Sequence, residues 1–136
     1  MRHLKETTRL GRPADQRKAL IRSLAAQVLW HGSIETTHAR ASVARRHVEE
    51  LITLTRDGSL AARRRAAAFL ATSAPPRGGG KWRAPAGRVL VRRLFDHIGP
   101  QYKDRKGGCT RIIRTGLRRG DGAEMAHLEL VDYVQP

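Results

Sequence analysis

Several groups of residues have the types and spacing that chemistry could use, and each can be tested against what that chemistry requires. Gly78-Gly79-Gly80-Lys81 could cradle a phosphate, because backbone amides of a glycine-rich turn point at anions and a lysine neutralises them. A nucleotide loop also needs a glycine where Pro75 stands and a magnesium-holding Ser or Thr where Trp82 stands. Cys109 follows Asp96 and His97, which raises a thiol nucleophile with a base, but the surrounding signature of any such enzyme is missing. A small structural residue at the start of a strand is the expected role. His3, His31, His38, His47, His97 and His127 contain no His-x3-His pair, so zinc is not expected. Glu49 and Glu50 follow Arg45 and Arg46, a spacing for surface ion pairs rather than for acid and base catalysis. No catalytic residue, metal or cofactor is expected, and the chain does not read as an enzyme.

Charge points elsewhere. The 27 Lys and Arg outnumber the 12 Asp and Glu, for a net charge of +15 and a pI near 11.6. Solubility alone is met by a magnitude of about 2 to 8, so the excess calls for a polyanionic partner. Aromatic residues are only 4% of the chain, too few to stack a single strand base by base, so duplex or folded RNA fits better. Residues 1 to 119 hold every basic group, whereas residues 120 to 136 hold Asp121, Glu124, Glu129 and Asp132 and no base. Phosphate would repel that last segment, which is expected to face solvent or basic protein. A single cysteine excludes an internal disulfide, and no apolar run approaches the roughly 20 residues that span a bilayer. The residues from Arg2 onward lack the apolar core of a secretory signal.

The elements that must position these groups follow from periodicity. Residues 1 to 13 form a basic, extended arm with too few apolar groups to order alone, and 14 to 136 form a single domain. Pro13 enters a first helix carrying Leu20, Ile21, Leu24, Ala25, Val28 and Leu29, which ends at Gly32. Ser33 to Thr37 is a short strand or link, and Thr37 is a cap for a second helix buried through Ala44, Val48, Leu51 and Ile52. Ser59 caps a third helix with Leu60, Ala66, Ala67, Phe69 and Leu70 inward. Residues 73 to 88, rich in Pro and Gly, form an inserted flexible loop. A fourth helix uses Val89, Leu90, Leu94, Phe95 and Ile98, and Gly99-Pro100 stops it by a left-handed glycine followed by a missing donor. Residues 109 to 116 and 125 to 134, joined by Arg118-Arg119-Gly120-Asp121-Gly122, form an antiparallel hairpin. The fold class is α+β, with about four helices on a small mixed three-stranded sheet.

These segments resemble a known family, the bacterial-type large-subunit ribosomal protein seventeen. Met1-Arg2-His3 opens the chain as in that family, residues 17 to 29 match its first helix, and Ile34-Glu35-Thr36-Thr37 matches its I-x-T-T link. Leu51-Ile52-Thr53-Leu54 matches its L-I-T-L turn of helix. Leu94-Phe95 with Gly99-Pro100, Gly107-Gly108 before Thr110-Arg111-Ile112, Gly120-Asp121 through Met125-Ala126, and Glu129-Leu130-Val131 repeat its C-terminal signature in order. Cys109 departs from the family's usual Tyr, His38-Ala39-Arg40-Ala41-Ser42 from a more basic segment, and the 73 to 88 loop is an insertion. Residues 10 to 19 resemble the cyanobacterial and plastid branch, which implies a chloroplast stroma, with a cyanobacterial cytoplasm as the alternative.

The resemblance implies a structural, non-catalytic constituent of the large subunit, seated on its RNA near the nascent-chain exit tunnel beside other ribosomal proteins. The basic residues expected to meet RNA are Arg2, His3, Lys5, Arg9 and Arg12 in the arm, then Arg17, Lys18 and Arg22 on the first helix. Arg45, Arg46, Arg63, Arg64 and Arg65 follow on the second and third helices. Arg77, Lys81, Trp82 and Arg83 in the loop, with Arg105, Arg111, Arg118 and Arg119 around the hairpin, complete the set. A competing class is an architectural or regulatory DNA-binding protein with a basic helix in a groove, against which the hairpin and the absence of a dimer signature count. An RNA-modifying enzyme lacks the nucleophile, metal set or cofactor loop it would need.

Overall fold

The computed structural model describes residues 8–70 and 87–136. Residues 1–7 of the expected arm and residues 71–86, which include most of the expected 73 to 88 loop, lie outside the described residues. In chain order the elements are α1 (Ala14–His31), β1 (Ser33–Thr37), α2 (His38–Asp57), α3 (Leu60–Leu70) and α4 (Gly87–Arg93). A π-helical turn, Leu94–Ile98, follows, then α5 (Gly99–Gln101), β2 (Thr110–Leu117) and β3 (Glu124–Leu130). The expected α+β class holds.

Helix α2 is the hub. Its apolar stripe of Ala41, Ala44, Val48, Leu51 and Ile52 is buried, and the helix packs against α1, α3, all three strands and the end of the fourth helix. Each of these residues follows the last by three, four or one positions, so they share one side of a 3.6-residue turn. The described end of the arm is not extended throughout: the Arg12 amide donates to the Arg9 carbonyl at 3.1 Å, and Leu10 and Gly11 both take positive φ. Pro13 occupies the N-cap of α1. Thr37 stands at the N-cap of α2 but gives no side-chain cap, whereas Ser59 does cap α3, its Oγ accepting from the Ala62 amide at 3.1 Å.

The sheet has the order β1-β3-β2 and is antiparallel throughout, not mixed, because β1 joins the free edge of β3 running opposite to it. Ile34 and Ile112 flank Leu128 from either side, and these residues with Thr36, Ala126 and Leu130 turn toward the helices. Ser33, Glu35, Thr37, Met125, His127 and Glu129 alternate onto the outer side. The expected turn closes β2 on β3, with the Arg118 amide donating to Ala123 O at 2.9 Å. Thr110, at the start of β2, is buried and donates from Oγ1 to Glu49 Oε1 at 2.7 Å, which ties the hairpin to α2. Cys109, just before β2, is buried as expected, and burial raises its thiol pKa above the ordinary value.

Three expectations need correction. Leu60 (62% exposed) and Val89 (46% exposed) belong to first helical turns that overhang the core, and Ala62 and Leu90 take the inward positions beside them. Gly87 and Arg88, which composition placed in the loop, begin α4. Gly99-Pro100 does not stop the fourth helix. A proline ring collides with the carbonyl four residues back in a regular helix, but here a widened turn, closed by the Gly99 amide donating to Leu94 O, precedes Pro100, and the chain continues helically to Gln101. Gly99 has φ −50, so its small size matters for a different reason: a Cβ there would stand 2.8 Å from Thr55 Cβ.

The C-terminal residues fasten the helices together. At the end of α1, Gly32 takes φ 79, and a Cβ on it would meet the Tyr133 ring at 2.7 Å. Arg93 donates to the Tyr133 hydroxyl at 2.9 Å while its guanidinium lies 4.5 Å from the centre of Trp30. The Gln101 side chain exchanges two hydrogen bonds with the Val134 backbone, and Gln135 Nε2 donates to His31 O at 2.7 Å. Tyr102 is buried and its hydroxyl donates to Val131 O at 2.7 Å, and desolvation pushes its pKa from 10.0 up to about 12.

Two outcomes follow. Gly99→Ala brings a rigid Cβ against Thr55, so its stability in urea should fall by about 1 to 3 kcal/mol despite the gain in helix propensity. Gly107→Ala, with open space around it, should stay within about 0.5 kcal/mol. In a Tyr133→Phe chain the remaining phenol, Tyr102, should ionise near pH 12 rather than 10, read by absorbance at the phenolate band. Because the folded pKa is the higher one, the stability this hydroxyl contributes is complete below the unfolded value and is lost as pH rises through about 12. Titration of that phenol near 10 with the fold intact would refute the buried hydrogen bond.

Candidate nucleic-acid interface

The structure divides the expected RNA-binding residues into two populations. Arg105, Arg111 and Arg118 are each paired with an acid of the C-terminal segment: Arg105 with Asp132 at 3.3 Å, Arg111 Nε with Glu129 at 2.7 Å and Arg118 with Asp121 at 2.6 Å. The basic protein that the acidic segment was expected to face is in large part this chain itself. The Arg118 hydrogen bond, helped by the Ala123 amide, holds the Asp121 carboxyl well below the usual carboxylate range. Arg56 adds a bond to the Arg105 carbonyl. Arg119 in the same turn and Arg114 at the β2 bulge are exposed and have no carboxylate partner among the described residues.

The second population lies on the helices. Arg17, Lys18 and Arg22 occupy α1, with the Arg22 guanidinium 5.8 Å from the centre of the Phe69 ring. Arg45 and Arg46 are exposed on α2, Arg45 within 3.5 Å of Glu49. All three arginines of the triplet on α3 are exposed, but they are not equivalent. Arg63 lies 4.7 Å from the centre of Phe95 and 3.7 Å from Asp96, which Arg92 approaches from the other side at 3.6 Å. It is a staple between α3 and the fourth helix. Arg64 and Arg65 have no such contact among the described residues. Arg9 and Arg12 are exposed in the turn ahead of α1, while Arg2, His3, Lys5, Arg77, Lys81, Trp82 and Arg83 lie outside the described residues.

Between α1 and α2 these groups border an open groove of about 500 Å³. Arg17 comes from α1, Arg46 and His47 from α2, Thr8 and Ser42 supply hydroxyls, and among the described residues none that lines it is acidic. A second hollow of about 330 Å³ shares Ser42 and Arg46 with it and extends past Arg45 and Glu49 to Ile112. A third, of about 120 Å³, shares His47 and leads past Glu50 to Arg65 and Phe69. The three together make a track across the outer side of α2 from β2 to α3. The His47 ring is stacked on Phe69 with centroids 5.6 Å apart, which fixes one wall.

Ser42 and Thr8 were not expected at the site. Ser42, Arg46 and His47 recur at helical spacing on one side of α2, a signal present in the sequence, but their meeting with Arg17 depends on how α1 crosses α2. No helix of the described residues is long and apolar enough to cross a membrane.

A family model described as Ribosomal protein L17 matches residues 20–131, from the middle of α1 to just past β3.

Replacing Arg64 and Arg65 together by Gln should lower affinity for structured RNA and reduce the slope of log affinity against log salt by up to about 0.9 for each phosphate that is no longer neutralised. Arg118→Gln should leave the slope nearly unchanged, since Asp121 already neutralises that guanidinium. Equal slope changes in the two variants would mean that the internal pairs do not separate the two populations.

Proposed function

We propose, because this chain belongs to the ribosomal protein L17 family of structural components of the large ribosomal subunit, that it binds and braces large-subunit ribosomal RNA through the basic track over α2. The observation that carries this reading is the α1–α2 groove, bordered by Arg17, Arg46 and His47 with no carboxylate among the described residues that line it. Cations held where RNA strands converge lower the phosphate repulsion that would otherwise splay them, and most such contacts position rather than read sequence. The role is that of a scaffold without catalysis.

The outer side of the sheet supports the same orientation. Glu35 and Glu129 lie there, and Arg111 on that side is already paired with Glu129, so little free positive charge is offered to phosphate and that side suits neighbouring ribosomal proteins or solvent. The seat near the nascent-chain exit tunnel comes from the family resemblance. The likeness of residues 10 to 19 to the cyanobacterial and plastid branch supports a chloroplast ribosome in the stroma, with cyanobacterial cytoplasm as the other location.

Tagged protein in a sucrose gradient of cell or organelle extract should co-migrate with the large subunit at low salt and stay there through a moderate salt wash. Migration with DNA, or release of the protein from the subunit while other basic proteins remain bound, would defeat the reading.

A further inference from the structure

We propose that the α1–α2 groove seats one unpaired nucleotide of RNA, its base against the apolar floor and its phosphate on the flanking guanidinium groups. This deepens the RNA-binding reading above and rests on it. The groove is amphipathic in the way that a nucleotide is. Ile21, Ala39 and Val43 supply an aliphatic surface, and Arg17 and Arg46 stand at its border with the Ser42 hydroxyl between helix turns. A track that only neutralised a phosphate backbone would need the cations and no recess. A volume of about 500 Å³ falls within the range of roughly 300 to 1,000 Å³ that small-molecule sites occupy, so a base with its sugar fits.

An intact duplex cannot enter a recess between two packed helices, whereas single-stranded loops and bulges present bases that can be splayed out of the stack. Among the described residues no aromatic ring other than the His47 imidazole lines the groove, so the base would lie on aliphatic side chains and guanidinium planes. His47 is held by its stack on Phe69, and Ile21 is 8% exposed in the free protein, so one wall and part of the floor stand in place before RNA arrives. Such preorganisation lowers the ordering cost of binding.

The test uses the full chain with adenosine monophosphate, adenosine and inorganic phosphate as separate probes, followed through the methyl resonances of Ile21 and Val43. Adenosine monophosphate should shift both sets of methyl signals and reach half-saturation at a concentration about tenfold below that of either part alone. Ala39→Leu, at a helical position on the groove side that leucine tolerates, fills the floor without changing charge and should abolish this preference. If phosphate alone reproduces the response to adenosine monophosphate, or if Ala39→Leu leaves it unaltered, the nucleotide seat is overturned while the RNA-binding reading stands. Failure of the unaltered chain to co-sediment defeats that reading instead, and the two failures are separable because the probes need no ribosome.

Discussion

Burial of the α2 stripe is the contact on which the other placements depend, because one helix must serve as floor for the sheet and as spine for the three other helices. Ala41 and Ala44 are completely buried and small, which lets neighbouring backbones come close at the N-terminal half, while Val48, Leu51 and Ile52 fill the wider space toward the C-terminus. At Thr55 the fourth helix comes so close that only glycine fits at position 99. A guanidinium cannot be buried without a partner at anything less than several kcal/mol, so once one side of α2 is committed to the core its arginines are confined to the other. The basic track is therefore a consequence of the packing as well as a binding surface, and its geometry is as rigid as the core beneath it.

The acids follow a complementary rule. Of the C-terminal carboxylates, Asp121, Glu129 and Asp132 each neutralise an arginine of the hairpin or the loop before it, and Glu49 is held by Thr110 and Arg45. These pairs are largely solvent-exposed and screened, so their effect on stability is small. Their effect on the pattern of charge is larger. They remove net charge from the hairpin end and leave it on α1, α2 and α3, so a basic chain becomes one with a directed basic surface.

Most of the fold was legible because local signals and tertiary packing agree. The α2 stripe, the Ser59 cap, the Gly32 stop and the Gly-Asp-Gly hairpin all rest on residues whose meaning is set within a few positions. The failures fall where a residue has two physical uses. Gly99 beside Pro100 reads as a helix stop, and only the approach of Thr55 reveals that its lack of a side chain, not its freedom of φ, is being used. Leu60 and Val89 fit an apolar period, but being the first turns of their helices they reach past the core.

The candidate site was legible in charge and not in arrangement. A count of arginines treats Arg63, Arg64, Arg65 and Arg118 alike, yet Arg63 is bound to Phe95 and Asp96, Arg118 to Asp121, and Arg64 and Arg65 are left to solvent. What separates them is partners 33 residues away for Arg63 and three for Arg118, and only the second pairing is visible in sequence. The same limit hides the groove, because Arg17 and Arg46 meet only when α1 crosses α2. Composition therefore identifies the class of partner, a polyanion, while the folded chain decides which few of its basic groups are placed to hold it.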